Sequence, residues 1–387
     1  MRFALLGVDA DALLIARYIA QSPGHSLVWG CELGVAAAQV RALAPDVQVA
    51  THWEGLLSTS TADAVIVARS DNEDERAEQL RKLVQEAVPL LLAHPVHNSM
   101  LICYELDMIR RETGCVMVPY VPYRWHAGVR RIGEIIADRE RAAIGPTEQV
   151  VMERAMPERT RQHVERQFTR DADVLRGLCG ELKSISALAP GGRAAAAYSN
   201  LGVQLTGESG LLVRWSVGPV EHTAGATITL RGAAGKATLA VPDAGLPTTL
   251  EIVATGKTEQ ESFPAWIPPA TAIAELERAL RREGPVPSWP DACRDVELTD
   301  ALGRSLVKGR TIELQDEEHS EHGTFKGTMT SVGCGLLVAS LVALFVAAAL
   351  ARITGKPIFG YAPYFILGML VLFLAIQSLK LVFRGED

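Results

Sequence analysis

The chain has no surplus of positive charge, no paired cysteines and no internal repeat, and each absence narrows what it can be. Its 387 residues carry 38 Lys and Arg against 45 Asp and Glu, a formal charge of -7. Nothing is left over to neutralise a phosphate backbone, so nucleic acid is excluded as a partner. The six cysteines (Cys31, Cys103, Cys115, Cys179, Cys293 and Cys334) include no CxxC pair and no regular spacing, which removes a zinc ribbon, a thioredoxin motif and a disulfide framework. They read as reduced, mostly buried thiols. No repeat of about 20 to 50 residues is present. His319 and His322 beside Glu317, Glu318 and Glu321 read as a solvated acidic linker rather than a metal site.

What is there in excess is apolar sequence near the C-terminus. Gly327 to Ala351 is a run of 25 residues without a charge, and about 20 helical residues suffice to cross a roughly 30 Å hydrocarbon core. After Arg352 to Gly360, Tyr361 to Leu379 adds 19 more uncharged residues. Tyr361, Tyr364 and Phe365 sit near one interface, and Lys380 and Arg384 lie beyond the other. The pair reads as a transmembrane helical hairpin over residues 327–384, preceded by an acidic linker over 315–326. The alternative, two buried core helices of a soluble domain, needs a large partner core. Flanking basic residues give weak orientation: Lys326, Lys380 and Arg384 on the side shared by both ends, Arg352 and Lys356 in the loop. Met1-Arg2-Phe3-Ala4 enters a strand at once and leaves no room for a cleavable signal region. The expectation is a large N-terminal region in the cytoplasm, tethered to the inner or plasma membrane.

Upstream, apolar runs and helical segments alternate. Residues 2–7, Ser26 to Cys31, Val47 to Ala50, Ala64 to Ala68, Pro89 to Ala93 and Cys115 to Val118 read as strands. Ala12 to Ala20, Trp53 to Leu57, Glu73 to Glu86 and Ser99 to Glu112 read as helices. Strands spaced by helices imply a parallel sheet covered on both faces. Later the period changes. Val150 to Arg154, Ser184 to Leu188, Ala195 to Leu201, Gly210 to Val217, Ala226 to Leu230 and Lys236 to Val241 are short, partly alternating runs broken by Gly and Pro, which predicts an antiparallel sheet. Helices are expected at Ala127 to Arg139, Ala172 to Leu178 and Asp295 to Lys308.

Four segments, in order, resemble the Gfo/Idh/MocA family of nicotinamide-dependent sugar and inositol oxidoreductases. Pro122-Tyr123-Arg124-Trp125-His126-Ala127-Gly128-Val129-Arg130 is similar to that family's N-R-R-F-H-P-x-V-R stretch, and Ala143-Ile144-Gly145-Pro146 to its I-G-P. Asp173 to Gly180 resembles its D-x-x-R-x-L-x-G helix, and Thr229 to Lys236 its G-x-x-G hairpin. The resemblance implies an α/β Rossmann dinucleotide-binding domain over 1–121 and an α+β domain with an open antiparallel sheet over 122–314. It also implies NAD as cofactor and, through the open sheet, a homo-oligomer. The two transmembrane α-helices are not part of that family's plan.

Where the resemblance demands chemistry, the residues differ. A dinucleotide loop needs G-x-G-x-x-G/A so that backbone N–H groups and the helix N-terminus approach the pyrophosphate. Here the stretch is Gly7-Val8-Asp9-Ala10-Asp11-Ala12: Gly7 and Ala12 fit, but Asp9 replaces the middle glycine. Its charge opposes pyrophosphate, and Asp9 or Asp11 can cap the helix from within. Glu32 stands where an acid takes the ribose hydroxyls of NAD, or is simply an acid ending a strand. The family's Lys-Pro becomes His94-Pro95, and Arg69-Ser70 stands at its Thr-Pro. Aligned on the Asp173 motif, Arg170 falls at the catalytic histidine and Arg166 at the aspartate before it. Arginine stays protonated, so neither takes a proton from a substrate hydroxyl; a shifted alignment would leave His163 as the base. The two arginines, four residues apart, either clamp a carboxylate or phosphate or pair with Glu165 or Asp171. The expectation is therefore a degraded oxidoreductase that binds a small anionic or carbohydrate ligand, or a partner, at the old cleft. The alternatives are an active NAD-dependent sugar or polyol dehydrogenase using His94, Tyr123 or His126, and a membrane-associated scaffold.

Overall fold

The structure is a computed structural model. It describes Met1 to Leu314 except 59–61, 139–141, 192–195, 208–209, 222, 244 and 285, and beyond Leu314 only Arg352. Met1–Leu314 forms one compact unit. The acidic linker, the His319/His322 cluster and both uncharged segments lie outside the described residues, among which no helix is long and apolar enough to cross a membrane.

The first sheet contains β1 (Arg2–Leu6), β2 (Ser26–Cys31), β3 (Gln48–Ala50), β4 (Ala64–Val67), β5 (Leu90–Leu92) and β6 (Met117–Pro119). All neighbours are parallel, in the order β3-β2-β1-β4-β5-β6. This is the doubly wound Rossmann order, in which successive strands are added outward in one direction from β1 and in the other from β4, opening a crevice at the carboxyl ends between those two. The strands read as unbroken apolar runs because both faces are covered. Phe3, Leu5, Ile66 and Leu91 pack under α1 (Ala10–Gln21). Ala4, Leu6, Val65 and Leu92 pack under α4 (Glu73–Gln85) and α5 (Met100–Thr113). Two short helices, α2 (Ala37–Leu43) and α3 (Gly55–Ser58), complete the connections.

The second sheet has nine strands. They are β7 (Thr147–Ala155), β8 (Leu182–Leu188), β9 (Leu201–Gly207), β10 (Leu212–Gly218), β11 (Gly225–Gly232), β12 (Gly235–Pro242), β13 (Thr248–Ala254), β14 (Lys257–Phe263) and β15 (Ile312–Glu313). Their order is β14-β13-β12-β11-β7-β10-β9-β8-β15. The expected antiparallel sheet is in fact mixed, because β10 lies parallel to β7 at its centre. The chain leaves β7, crosses the sheet through α7 (Arg161–Cys179) and two further strands, and returns beside it in the same direction. The helix α6 (Ala127–Ala137) precedes β7, and α6 and α7 cover one face, where Val150, Met152, Phe168 and Trp215 share a core. The opposite face is more open and carries the exposed Glu153 and Arg214.

Several boundaries differ from expectation for physical reasons. The strand expected over Ala195 to Leu201 starts only at Leu201. Helix α7 begins at Arg161 rather than Ala172: Thr160 caps it by accepting from the His163 backbone N–H, and Val164, Phe168, Ala172 and Leu175 form its buried stripe. The last helix, α9 (Trp289–Lys308), begins six residues early at a capping box between Ser288 and Asp291. Strands β13 and β14 and helix α8 (Pro268–Arg281) were not anticipated. β14 is a polar edge strand, Lys-Thr-Glu-Gln-Glu-Ser-Phe, held by its pairing with β13, so no apolar alternation announces it. Both late helices return to the first sheet: Ile273 and Leu276 of α8 join one of its cores, and Trp289, Cys293 and Val296 of α9 join the other.

Candidate functional site

The crevice at the carboxyl ends of β1, β4 and β5 is where this fold places ligands, and here it is filled by the protein's own charges. Asp9 is the N-cap of α1, and its Oδ1 accepts from the Ala12 backbone N–H at 2.8 Å. Its Oδ2 accepts from the Arg69 backbone N–H at 3.1 Å and pairs with Arg69 Nη2 at 3.1 Å. Arg69 Nη2 also reaches Asp11 Oδ2, at 3.0 Å. From α7, Arg170 donates to the same Asp11 oxygen, while its Nε donates to the His94 carbonyl at 2.8 Å. Burial alone would raise the Asp11 pKa, but the Arg170 and Arg69 charges outweigh it and hold the carboxyl below the usual carboxylate range. Two carboxylates and two guanidiniums thus form a closed network joining the first sheet to α7. A diphosphate at this helix terminus would meet both carboxylates and find the Ala12 N–H already committed, so the residues present do not fit one.

The rest of the nucleotide-side set is also engaged internally. Gly7 has φ +74°, and a Cβ there would strike the Arg76 guanidinium, which lies over the loop. Arg76, 2% exposed, donates Nη2 to Glu32 Oε2 at 3.1 Å, and Gln79 donates to Glu32 Oε1. The acid expected to meet ribose hydroxyls is therefore held by α4. Arg76 and Gln79 were missed in the sequence because they lie on an ordinary charged helix, far along the chain from Glu32.

The expected catalytic residues scatter. His94 is 2% exposed and points away from the crevice, its Nε2 lying 3.2 Å from Asp295 Oδ2 of α9. Despite that proximity, neither atom has a hydrogen-bond partner among the described residues. Burial lowers the His94 pKa to about 4, so the ring is neutral. His126 is also 2% exposed; it caps α6 by accepting from Gly128 N–H on Nδ1 at 3.2 Å and packs edge-on against Trp266. Tyr123 donates its hydroxyl to the Asp243 carbonyl at 3.3 Å, and burial, then Asp243, push its pKa up. His163 stays at the start of α7, 2.7 Å from Thr160 Oγ1 and 3.2 Å from Glu158. Arg170 pairs with Asp11 rather than with the expected Asp171 or an open clamp. Asp171 instead takes Arg154, buried like itself. Arg166 has no ion-pair or hydrogen-bond partner among the described residues and, with Arg69 and Pro95, lines a cavity of about 60 Å³. A second cavity, of about 220 Å³, lies beside Arg170 between Asp11, Tyr120, Tyr123, Gln167 and Asp243.

The Asp-x-x-Arg pattern of α7 turns out to be architectural. Asp173 accepts from Arg124 Nε at 3.1 Å, and Arg176 donates to Asp295 Oδ1 at 3.1 Å. Burial drives the pKa values of Asp173 and Asp295 up to about 7; the Asp295 charge adds to the first, and Arg124 and Arg176 oppose the shifts. Both folded values exceed the ordinary 3.8, so this stabilisation is complete only at low pH and is lost as pH rises through about 7. The lowered His94 value acts oppositely, but only below its ordinary 6.5. Unfolding midpoints in urea are therefore expected to fall between about pH 4 and 7, most steeply once the His94 contribution is complete near 6.5, and to level off above about 7; Asp295→Asn should flatten that decline. An unchanged slope in the variant would remove Asp295 as its source.

No protein-family model and no curated protein matches the chain. Solved structures do. A myo-inositol dehydrogenase from Corynebacterium glutamicum aligns at 18% identity and a TM-score of 0.64, covering 81% of this chain and 99% of that one. A 3-ketoreductase from Actinomadura kijaniata, in complex with NADP and TDP-benzene, aligns at 18% identity and 0.67, covering 79% and 97%. An oxidoreductase from Agrobacterium radiobacter, in complex with NAD+, L-tartaric acid and magnesium, aligns at 13% identity and 0.66, covering 81% and 98%. These neighbours are Gfo/Idh/MocA-type oxidoreductases, and at such identities the likeness is one of fold.

Proposed function

We propose that the chain is a membrane-tethered, non-catalytic relative of NAD(P)-dependent oxidoreductases, retaining their fold and using the cleft to bind a small ligand or a partner. The observation that carries this reading is the network of Asp9, Asp11, Arg69 and Arg170, which supplies internally the negative charge a diphosphate would bring. Burial supports it: His94 and His126 are each 2% exposed, and a general base must reach the proton it removes. The uncharged segments 327–351 and 361–379 favour a hairpin anchor with the larger unit on the cytoplasmic side. The more open face of the second sheet would suit a second copy of the chain.

The test is one preparation. Membranes washed with alkaline carbonate are expected to retain the full chain. The detergent extract is expected to leave NADH fluorescence unchanged up to about millimolar concentration, the upper end of the roughly micromolar-to-millimolar range of working sites. Saturable NADH binding with turnover of a sugar or polyol would sink the non-catalytic reading, and release by carbonate would sink the anchor.

A further inference from the structure

The cavity of about 60 Å³ at the carboxyl ends of β4 and β5 is bounded by Arg69, Ser70, Asp71 and Glu73 on one side, Pro95 and Asn98 on another, and Gln162 and Arg166 of α7 on the third. Most of its polar groups are committed. Arg69 is spent on Asp9 and Asp11, and Asn98 donates to Glu73 Oε1 at 2.7 Å. Arg166 and Gln162 are not: neither has a hydrogen-bond or ion-pair partner among the described residues. Ser70 Oγ accepts from the Asn72 N–H at 3.2 Å, which leaves its own proton to donate. Resting on the reading that the cleft binds a ligand rather than turning one over, we infer that Arg166 anchors the oxyanion head of a small acid in this cavity.

The volume, room for about five water-sized atoms, matches a phosphate group or a two-carbon carboxylate. An unpaired guanidinium presents a planar fork of donors suited to either. Ser70 and Gln162 add neutral donors, which an anion needs and a cation would not use. Asp71, exposed at the rim, accepts from a hydroxyl or ammonium beside the anionic head, so a hydroxy or amino acid, or a protonated phosphate, fits better than a bare carboxylate. Burial first, then the Arg69 and Arg170 charges, lower the Arg166 pKa against the opposing pull of Asp9 and Asp11, so an anion held at its fork would favour the charged form. The sequence suggested two arginines acting together; the structure divides them, Arg170 closing the network and Arg166 left for a ligand.

The experiment is calorimetric titration of the detergent-solubilised full chain with inorganic phosphate and with glycolate, at ionic strength held constant with chloride. At least one anion is expected to bind saturably. Arg166→Gln should weaken it by about tenfold or more, the loss of hydrogen bonds to a charged group, and Arg166→Lys by less. Arg17→Gln, an exposed arginine on α1, should change nothing. Preference for phosphate points to phosphate esters and preference for glycolate to hydroxy acids. Arg166 breaks no described pair when replaced, and near-UV circular dichroism reports that the variant is folded. If neither anion binds beyond chloride, or Arg166→Gln binds as wild type does, the inference is overturned. NADH titrated into the same sample reports separately on the non-catalytic reading.

Discussion

Replacing Asp9 and Asp11 together by asparagine is expected to convert a loop whose carboxylates oppose a diphosphate into one that binds it. Asparagine keeps the N-cap that Asp9 provides for α1 and removes only charge. A like charge about 4 Å from a phosphate costs about 1 kcal/mol in water and about 4 kcal/mol at an effective dielectric of 20. That corresponds to roughly fivefold and roughly a thousandfold in affinity for each carboxylate. The same change frees Arg69 and Arg170, whose side chains are 15% and 21% exposed, to act on the ligand. The probe is inorganic pyrophosphate, since Arg76 still covers Gly7 and disfavours a whole dinucleotide. The double variant should also melt at lower temperature without pyrophosphate, because two largely buried cations lose their counter-charges, and should recover stability as the anion saturates it. A folded double variant that stays blind to pyrophosphate would show that something other than these carboxylates closes the site.

The largest stability effect is expected at Arg154. Its side chain and that of Asp171 are each 2% exposed, and Asp171 also accepts from Trp215 Nε1 at 2.9 Å and from Gln167 at 3.0 Å. Arg154→Ala strands a buried carboxylate, a change that costs about 3–5 kcal/mol. Urea denaturation followed by tryptophan fluorescence measures it, with Trp215 itself in the affected core. Arg154→Met combined with Asp171→Asn removes both charges while keeping a hydrogen-bond acceptor for Trp215, and is expected to lose much less. Equal losses in the two variants would mean that packing around Arg154, not the stranded charge, carries the cost. Asp171 is distinct from the crevice network, so this variant should leave the pyrophosphate and phosphate titrations unaltered once corrected for folding.

Composition and periodicity determined most of the architecture. Unbroken apolar strands such as Phe3 to Leu6 and Ala64 to Val67 can only be buried on both faces, so the parallel sheet was legible, as were Asp9 as a cap and the lack of a proton acceptor at 166 and 170. These are local properties, carried by neighbours along the chain. The parallel placement of β10 against β7, the polar edge strand β14 and the return of α9 to the first sheet were decided only by tertiary pairing, because no run of residues encodes which strand lies beside which. The same holds for charge. That Asp11 meets Arg170, that Glu32 meets Arg76 and that His94 faces Asp295 rather than the crevice depends on residues 44 to 201 positions apart. Electrostatic energy follows distance and burial in space, and sequence separation says nothing about either.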